Sequence, residues 1–427
     1  MIAHLLLVPL VSASFVGIGR APAPLLTGAR PDTSFGAGRG WVTTEIPGSG
    51  SQAEAALVMP DNRIVVAGQS AAPNGESQVL VVRYRSDGTL DPSFGSNGIF
   101  KSSLPTADAP FNATAIAQQP TTGKLVVTGG YAQDSILLSR LTPAGQLDPT
   151  FGAAHTGVVR LPVGGTGEAM TIDGKGRILA GAFNANVRGK PMVVARFSSD
   201  GILDTSFGQN GIVNLLFWDI SSAAGTTVST LIAAADGSVT GFGRLDGVGS
   251  GPQHGAVFRL SPNGALAPGF GSGGHADITP PAGGPKDWYP CSMSTVDSRG
   301  RMVVTGGLGN SALMTARLSA NGKIDGSYGT AGNGIVVTPV GGNNVGGQTT
   351  CGAALDATGD LTTGIGATLV QLTSRGAPDT HFGPGGFVTI GAPAQVNLNA
   401  VRNAGAARIV IAGFAGNAVY VARYWTR

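Results

Sequence analysis

The chain has 427 residues, of which 42% are apolar, only 12% are charged and 69 are glycine, with a net charge of +3. An apolar fraction of that size argues against disorder, and so few charged helix formers beside so much glycine argue against coiled coils and helical bundles. The basic residues are scattered singly, so neither a nucleic-acid interface nor an anionic-membrane surface is indicated.

In chain order the first feature is the apolar run from Leu5 to Gly19. It is short for a membrane span but suits the core of a signal peptide. Val11-Ser12-Ala13 and Ala21-Pro22-Ala23 both fit the small-x-small cleavage pattern. The positive leader region is reduced to the α-amine and His4. Residues 1–23 are read as a signal peptide. The mature protein is then exported, has no membrane span and is monomeric.

From residue 31 to 427 a single domain is expected, because one phrase recurs seven times. It ends in Phe35-Gly36, Phe94-Gly95, Phe151-Gly152, Phe207-Gly208, Phe270-Gly271, Tyr328-Gly329 and Phe382-Gly383. The aromatic positions are about 58 residues apart. Each repeat carries four short apolar runs. One follows the Phe-Gly, as in Gly98-Ile99-Phe100. A small-residue run such as Ala53 to Leu57 comes next. A β-branched run such as Ile64 to Gly68 and another such as Val79 to Tyr84 complete the unit. Runs this short, bounded by Asp-Gly or Asn-Gly, are strands joined as hairpins. Four strands per repeat describe one blade of a β-propeller.

Each end of the domain holds a fragment of the repeat. Residues 396–427 supply three runs, and 31–46 supply the phrase and one more. Joined, they complete a seventh blade and remove both open sheet edges. The expected fold is therefore all-β: a seven-bladed propeller of four-stranded antiparallel blades, closed by the N-terminal strand. The Leu-Asp-Pro-Ser-Phe-Gly phrase and the hairpin resembling Pro-Asp-Gly-Lys-Ile-Val-Val-Ala-Gly make the chain similar to the bacterial delta-60 repeat family. That resemblance implies an exported or surface protein and no particular reaction. Ala267, where Asp is usual, and Gln371, where Arg is usual, depart from the pattern.

Within the phrase an Arg stands eight residues before an Asp: Arg83 and Asp91, Arg140 and Asp148, Arg196 and Asp204, Arg317 and Asp325. A residue pair present in nearly every blade reads as scaffold, a guanidinium–carboxylate latch. Arg423 meets Asp32 only if the ring closes. Most of the remaining acids fall in the loops joining strand two to three and strand four to the next blade, which share one face. The longest of these carry Asp108, Trp218, Asp219, Asp287 and Trp288. An indole beside a carboxylate suits a sugar ring or a cation, so these five are the candidate ligand-binding residues, expected on one exposed face.

The five histidines lack metal-ligand spacing, so neither a metal nor another cofactor is expected. Asp356 and Asp360 loosely suggest a calcium loop but lack further oxygens, and an ordinary turn accounts for them. Cys291 and Cys351 open the first strands of neighbouring blades and, in an exported protein, form a possible disulfide, although their registers differ by about one residue. The leading reading is a non-catalytic propeller that binds a glycan, a small molecule or a protein. The alternatives are a propeller hydrolase or lyase with acids at the channel mouth, and a structural cell-envelope protein.

Overall fold

The computed structural model describes residues 28–46, 50–71, 77–102, 111–131, 135–163, 165, 167–184, 191–217, 226–245, 254–281, 288–290, 294–309, 311–340, 352–392, 396–405 and 407–427. The architecture is the all-β seven-bladed propeller expected from the repeats. Blade one shows the plan. Ser51–Val58, Ile64–Ala71, Ser77–Tyr84 and Ile99–Ser102 pair antiparallel in chain order. Register is set where Ile64 faces Tyr84 and Val82 faces Ile99.

The third strand of the blade is apolar on both faces, because each blade is sandwiched between two others. Phe35, Val66, Leu80 and Val82 pack with Ala400, Val410, Val419 and Val421 across the junction of blades seven and one. The first strands line the centre. Ser51–Val58 packs against Val396–Asn403 on one side and Phe111–Gln118 on the other. In blades one, two, four and seven this strand carries a β-bulge, centred on Glu54, Thr114, Ser229 and Asn399.

Blade five has its first strand in two pieces, Trp288–Pro290 and Thr295–Val296, both paired with Met302–Leu308. Blade seven joins Val396–Asn403, Arg408–Ala415 and Ala418–Trp425 to the N-terminal strand Trp41–Thr44, with Arg30–Pro31 added on the same partner. Ring closure by the N-terminal segment removes the edges that would otherwise be open to another chain. No helix among the described residues is long and apolar enough to cross a membrane.

Antiparallel order sorts the connections onto two faces. The turns between first and second strands are uniform, from four residues at 404–407 to six at 119–124. On the opposite face the connections vary widely, from two residues at 366–367 to thirteen at 340–352. The fold therefore has one regular face and one irregular face.

Candidate functional site

The regular face is built from the recurring phrase. Arg83 Nε donates to Asp91 Oδ2 at 2.8 Å, Nη2 donates to the Ser93 hydroxyl, and the guanidinium lies 4.5 Å from the Phe94 ring centre. Its third arm, Nη1, donates across the blade junction to the Pro143 carbonyl at 2.6 Å. Arg140 and Asp148, Arg196 and Asp204, and Arg317 and Asp325 repeat the contact at 2.8 Å. Their outer arms reach the carbonyls of Ser199, Pro262 and Ser374 in the next blade. Arg423 Nε donates to Asp32 Oδ2 at 2.7 Å and its Nη1 to the Ser86 carbonyl of blade one. Each guanidinium thus ties its own turn to the neighbouring blade, a connection that sequence spacing does not reveal.

These carboxyls are held in the charged form. Burial pushes the other way, but the Ser93 hydroxyl and N–H together with Arg83 bring Asp91 down to about 2. Asp148 is lowered in the same way: burial opposes, and Lys124, Thr150 and Arg140 outweigh it. Asp32, Asp204 and Asp325 are lowered as well.

The two departures from the repeat have visible consequences. Arg259, facing Ala267, makes only long contacts to the Thr240 hydroxyl at 3.3 Å while still reaching the Ala320 carbonyl. Gln371 is buried and donates to Thr362, and its Oε1 has no partner. At that junction Ala29 N–H donates to the Phe382 carbonyl at 2.7 Å. Arg427 Nη2 reaches Asp356 Oδ2 at 2.9 Å and Asp360 Oδ2 at 3.0 Å. Asp356 Oδ1 also accepts from the N–H groups of Thr358 and Asp360 at 2.9 and 3.0 Å, closing a turn.

At the centre, Asn399 Nδ2 donates to Glu54 Oε2 at 2.9 Å and to the Ala53 carbonyl. Burial raises the Glu54 carboxyl above its ordinary value. Thr227 donates to Glu168 Oε2 at 2.6 Å. Glu168 thus lies against the first strand of the next blade, Thr226–Ala233. Among the described residues no group of three or more His, Cys, Asp or Glu is arranged to hold a metal.

Of the residues expected on the irregular face, Asp108, Trp218, Asp219 and Asp287 lie outside the described residues, as do Cys291, Cys351 and the leader 1–23. Trp288 is described, and its expected exposure is corrected: it is fully buried. It begins the first strand of blade five opposite Leu308. Its indole packs among Phe242, Val257, Met302, Val304 and Met314 at the junction of blades four and five. An aromatic at the start of a strand turns inward when the adjacent blade offers an apolar wall, and position along the chain does not show that wall.

The irregular face also carries a cleft of about 220 Å3 at the junction of blades seven and one, lined by Gly50, Ser51, Gln52, Gln69, Ser70, Ser77 and Asn417 among others. Gln69 Nε2 donates to Gln52 Oε1, and the Ser77 hydroxyl lies 3.1 Å from Gln69 Oε1 and 3.0 Å from Asn112 Oδ1. Sequence reasoning missed this cleft because it followed acids and aromatics, and the described lining residues are all uncharged.

Fold and latches together define a β-propeller repeat protein. Residues 60–94 and 121–151 match the family model described as a domain of unknown function (DUF5122) beta-propeller. No curated protein sequence matches the chain. Among solved structures, a virginiamycin B lyase from Staphylococcus aureus, crystallised with quinupristin, is similar at 12% identity and a TM-score of 0.51, covering 90% of this chain and 98% of that one. A polysaccharide lyase is similar at 10% identity and a TM-score of 0.48, covering 88% and 90%. At such identities the likeness concerns the fold alone.

Proposed function

We propose that this protein is an exported, non-catalytic propeller of the delta-60 repeat type that binds a glycan, a small molecule or a protein through its irregular face. The observation that carries the reading is the contrast between the faces. One is occupied by a latch whose elements recur around the ring. The other has connections of two to thirteen residues and the cleft. Uniform turns serve the fold. Variable loops on a rigid scaffold are where binding residues concentrate. Asp108, Trp218, Asp219 and Asp287 belong to those loops and are proposed to contribute to the site. Trp288 is assigned to the core instead.

The test is a thermal-shift screen of glycans and metabolites on the mature protein, followed by hydrogen–deuterium exchange with the best hit. Protection within 101–112, 214–226 or the loops around the cleft supports the reading. Protection confined to the turns at 59–63, 173–177 and 297–301 overturns it. Intact-mass measurement of the secreted chain tests export: loss of a leader ending near residue 13 or 23 is expected, and an unprocessed cytoplasmic chain contradicts it.

A further inference from the structure

The cleft between blades seven and one has a definite chemical character. Among the described residues nine line it, Gly50, Ala71 and Gly416 among them, and none of these carries a charge. From these residues a phosphate or carboxylate ligand gains no cation and an ammonium group no anion. The polar groups that are present are incompletely matched. The Ser77 hydroxyl has one proton and two carbonyl acceptors within reach, Gln69 Oε1 and Asn112 Oδ1. It satisfies one at a time. Asn417, by contrast, is exposed at the cleft and open to a ligand.

The wall itself is firmly held. Ser51 N–H and hydroxyl both bond the Asn417 carbonyl, at 2.9 and 3.1 Å, and Ala71 N–H donates to the Gly50 carbonyl. The Asn417 side chain stands exposed beside Gly50, with no hydrogen bond of its own among the described residues. The volume of about 220 Å3 is below the roughly 300–1,000 Å3 of pockets that enclose drug-sized ligands. It suits one compact ring.

We infer that this cleft is a subsite for one unit of a neutral saccharide, whose hydroxyls both donate and accept and so match the amides of Gln52, Gln69 and Asn417 and the hydroxyl of Ser77. The inference rests on the irregular face being the binding face and specifies the ligand class there.

The experiment is saturation-transfer NMR on the full mature protein with methyl glucoside, methyl galactoside, methyl mannoside and N-acetylglucosamine. Glucosamine and sialic acid serve as charged controls. At least one neutral sugar is expected to bind with a dissociation constant on the order of 1 mM, ahead of both charged ones. Gln69→Leu and Asn417→Ala are expected to weaken it about fivefold, the middle of the range for loss of one hydrogen bond, with melting temperature unchanged. Asn417 lies on an exposed turn, so its variant keeps the test valid if Gln69→Leu fails to fold. No transfer to any neutral sugar at about 10 mM, tighter binding of a charged sugar, or unchanged binding in Asn417→Ala overturns the subsite. A ligand that instead protects 101–112 or 214–226 and ignores the cleft variants overturns the subsite and leaves the irregular face as the binding face. Protection confined to the regular turns overturns both.

Discussion

Trp288 and Glu54 show how far a single residue's role depends on what lies across a blade junction. Trp288 fills the space between Phe242 and Met302 and is fully buried. Trp288→Ala therefore leaves a cavity, and a stability loss of about 3–5 kcal/mol is expected, measured by urea unfolding. A variant as stable as the parent would put the ring back on the surface. Glu54 behaves in the opposite sense. Burial raises its carboxyl above the ordinary 4.5, so the folded state disfavours the charged form. The stability linked to it is present at low pH and is lost as pH rises through the folded value. Glu54→Gln keeps an acceptor for Asn399 Nδ2 and removes the charge. The variant should melt above the parent at pH 7, with the gap closing below pH 4.5, as calorimetry across that range would reveal. A variant that melts lower at pH 7 would mean the charge is compensated.

At the scale of the element, the hairpin turn and the phrase act as one unit shared by two blades. Gly201 takes φ +78° in the turn of blade three, and a Cβ there would lie 2.6 Å from the Phe151 ring of blade two. The turn glycine is thus required twice, by its backbone angle and by the aromatic packed beneath it. Blade four departs from the unit. Arg259 keeps its stacking on Phe270, at 4.6 Å, but faces Ala267 where the other latches have a carboxylate. Its ionised form is disfavoured by burial, with only Asp236 acting the other way. Restoring the acid should complete the latch. Ala267→Asp is expected to raise stability by about 0.5–1.5 kcal/mol, the net value of one such hydrogen bond, read from the midpoint of chemical unfolding. An unchanged or lower midpoint would show that Thr240 already satisfies the guanidinium.

For the molecule as a whole, the latches and the closing strand act on the same ring. Arg196→Ala removes one latch inside the ring and should cost roughly 1–3 kcal/mol without affecting ligand binding. Arg423→Ala removes the latch that holds Asp32 and, through it, the closing segment. It should cost as much and also expose residues 28–46 to limited proteolysis, which Arg196→Ala should not. Equal protease resistance in the two variants would mean that Trp41–Thr44 holds the ring shut by its strand pairing alone. Acid should act on all the latches together. Their carboxyls are lowered on folding, so their stabilisation is complete above the unfolded value of 3.8 and is lost as pH falls, for Asp91 towards about 2.

The repeat alone determined the architecture. A phrase returning about every 58 residues, with hairpin chemistry at fixed offsets and a split unit at the two ends, leaves a closed seven-bladed ring as the arrangement that pairs every strand. The Arg–Asp pairs, including Arg423 with Asp32, were legible for the same reason, since a feature repeated at constant spacing must do the same thing in every blade. What only the tertiary structure decided lies between blades, where residues far apart in sequence meet without any periodic signal. It turned Trp288 inward, carried each latch across to the next blade, set Arg427 against Asp356 and Asp360, and gathered the uncharged Gln52, Gln69, Ser77 and Asn417 into one cleft. Neutral side chains leave no mark in a chain read for charge and aromatic rings. Their significance arises only when packing gathers them at one junction.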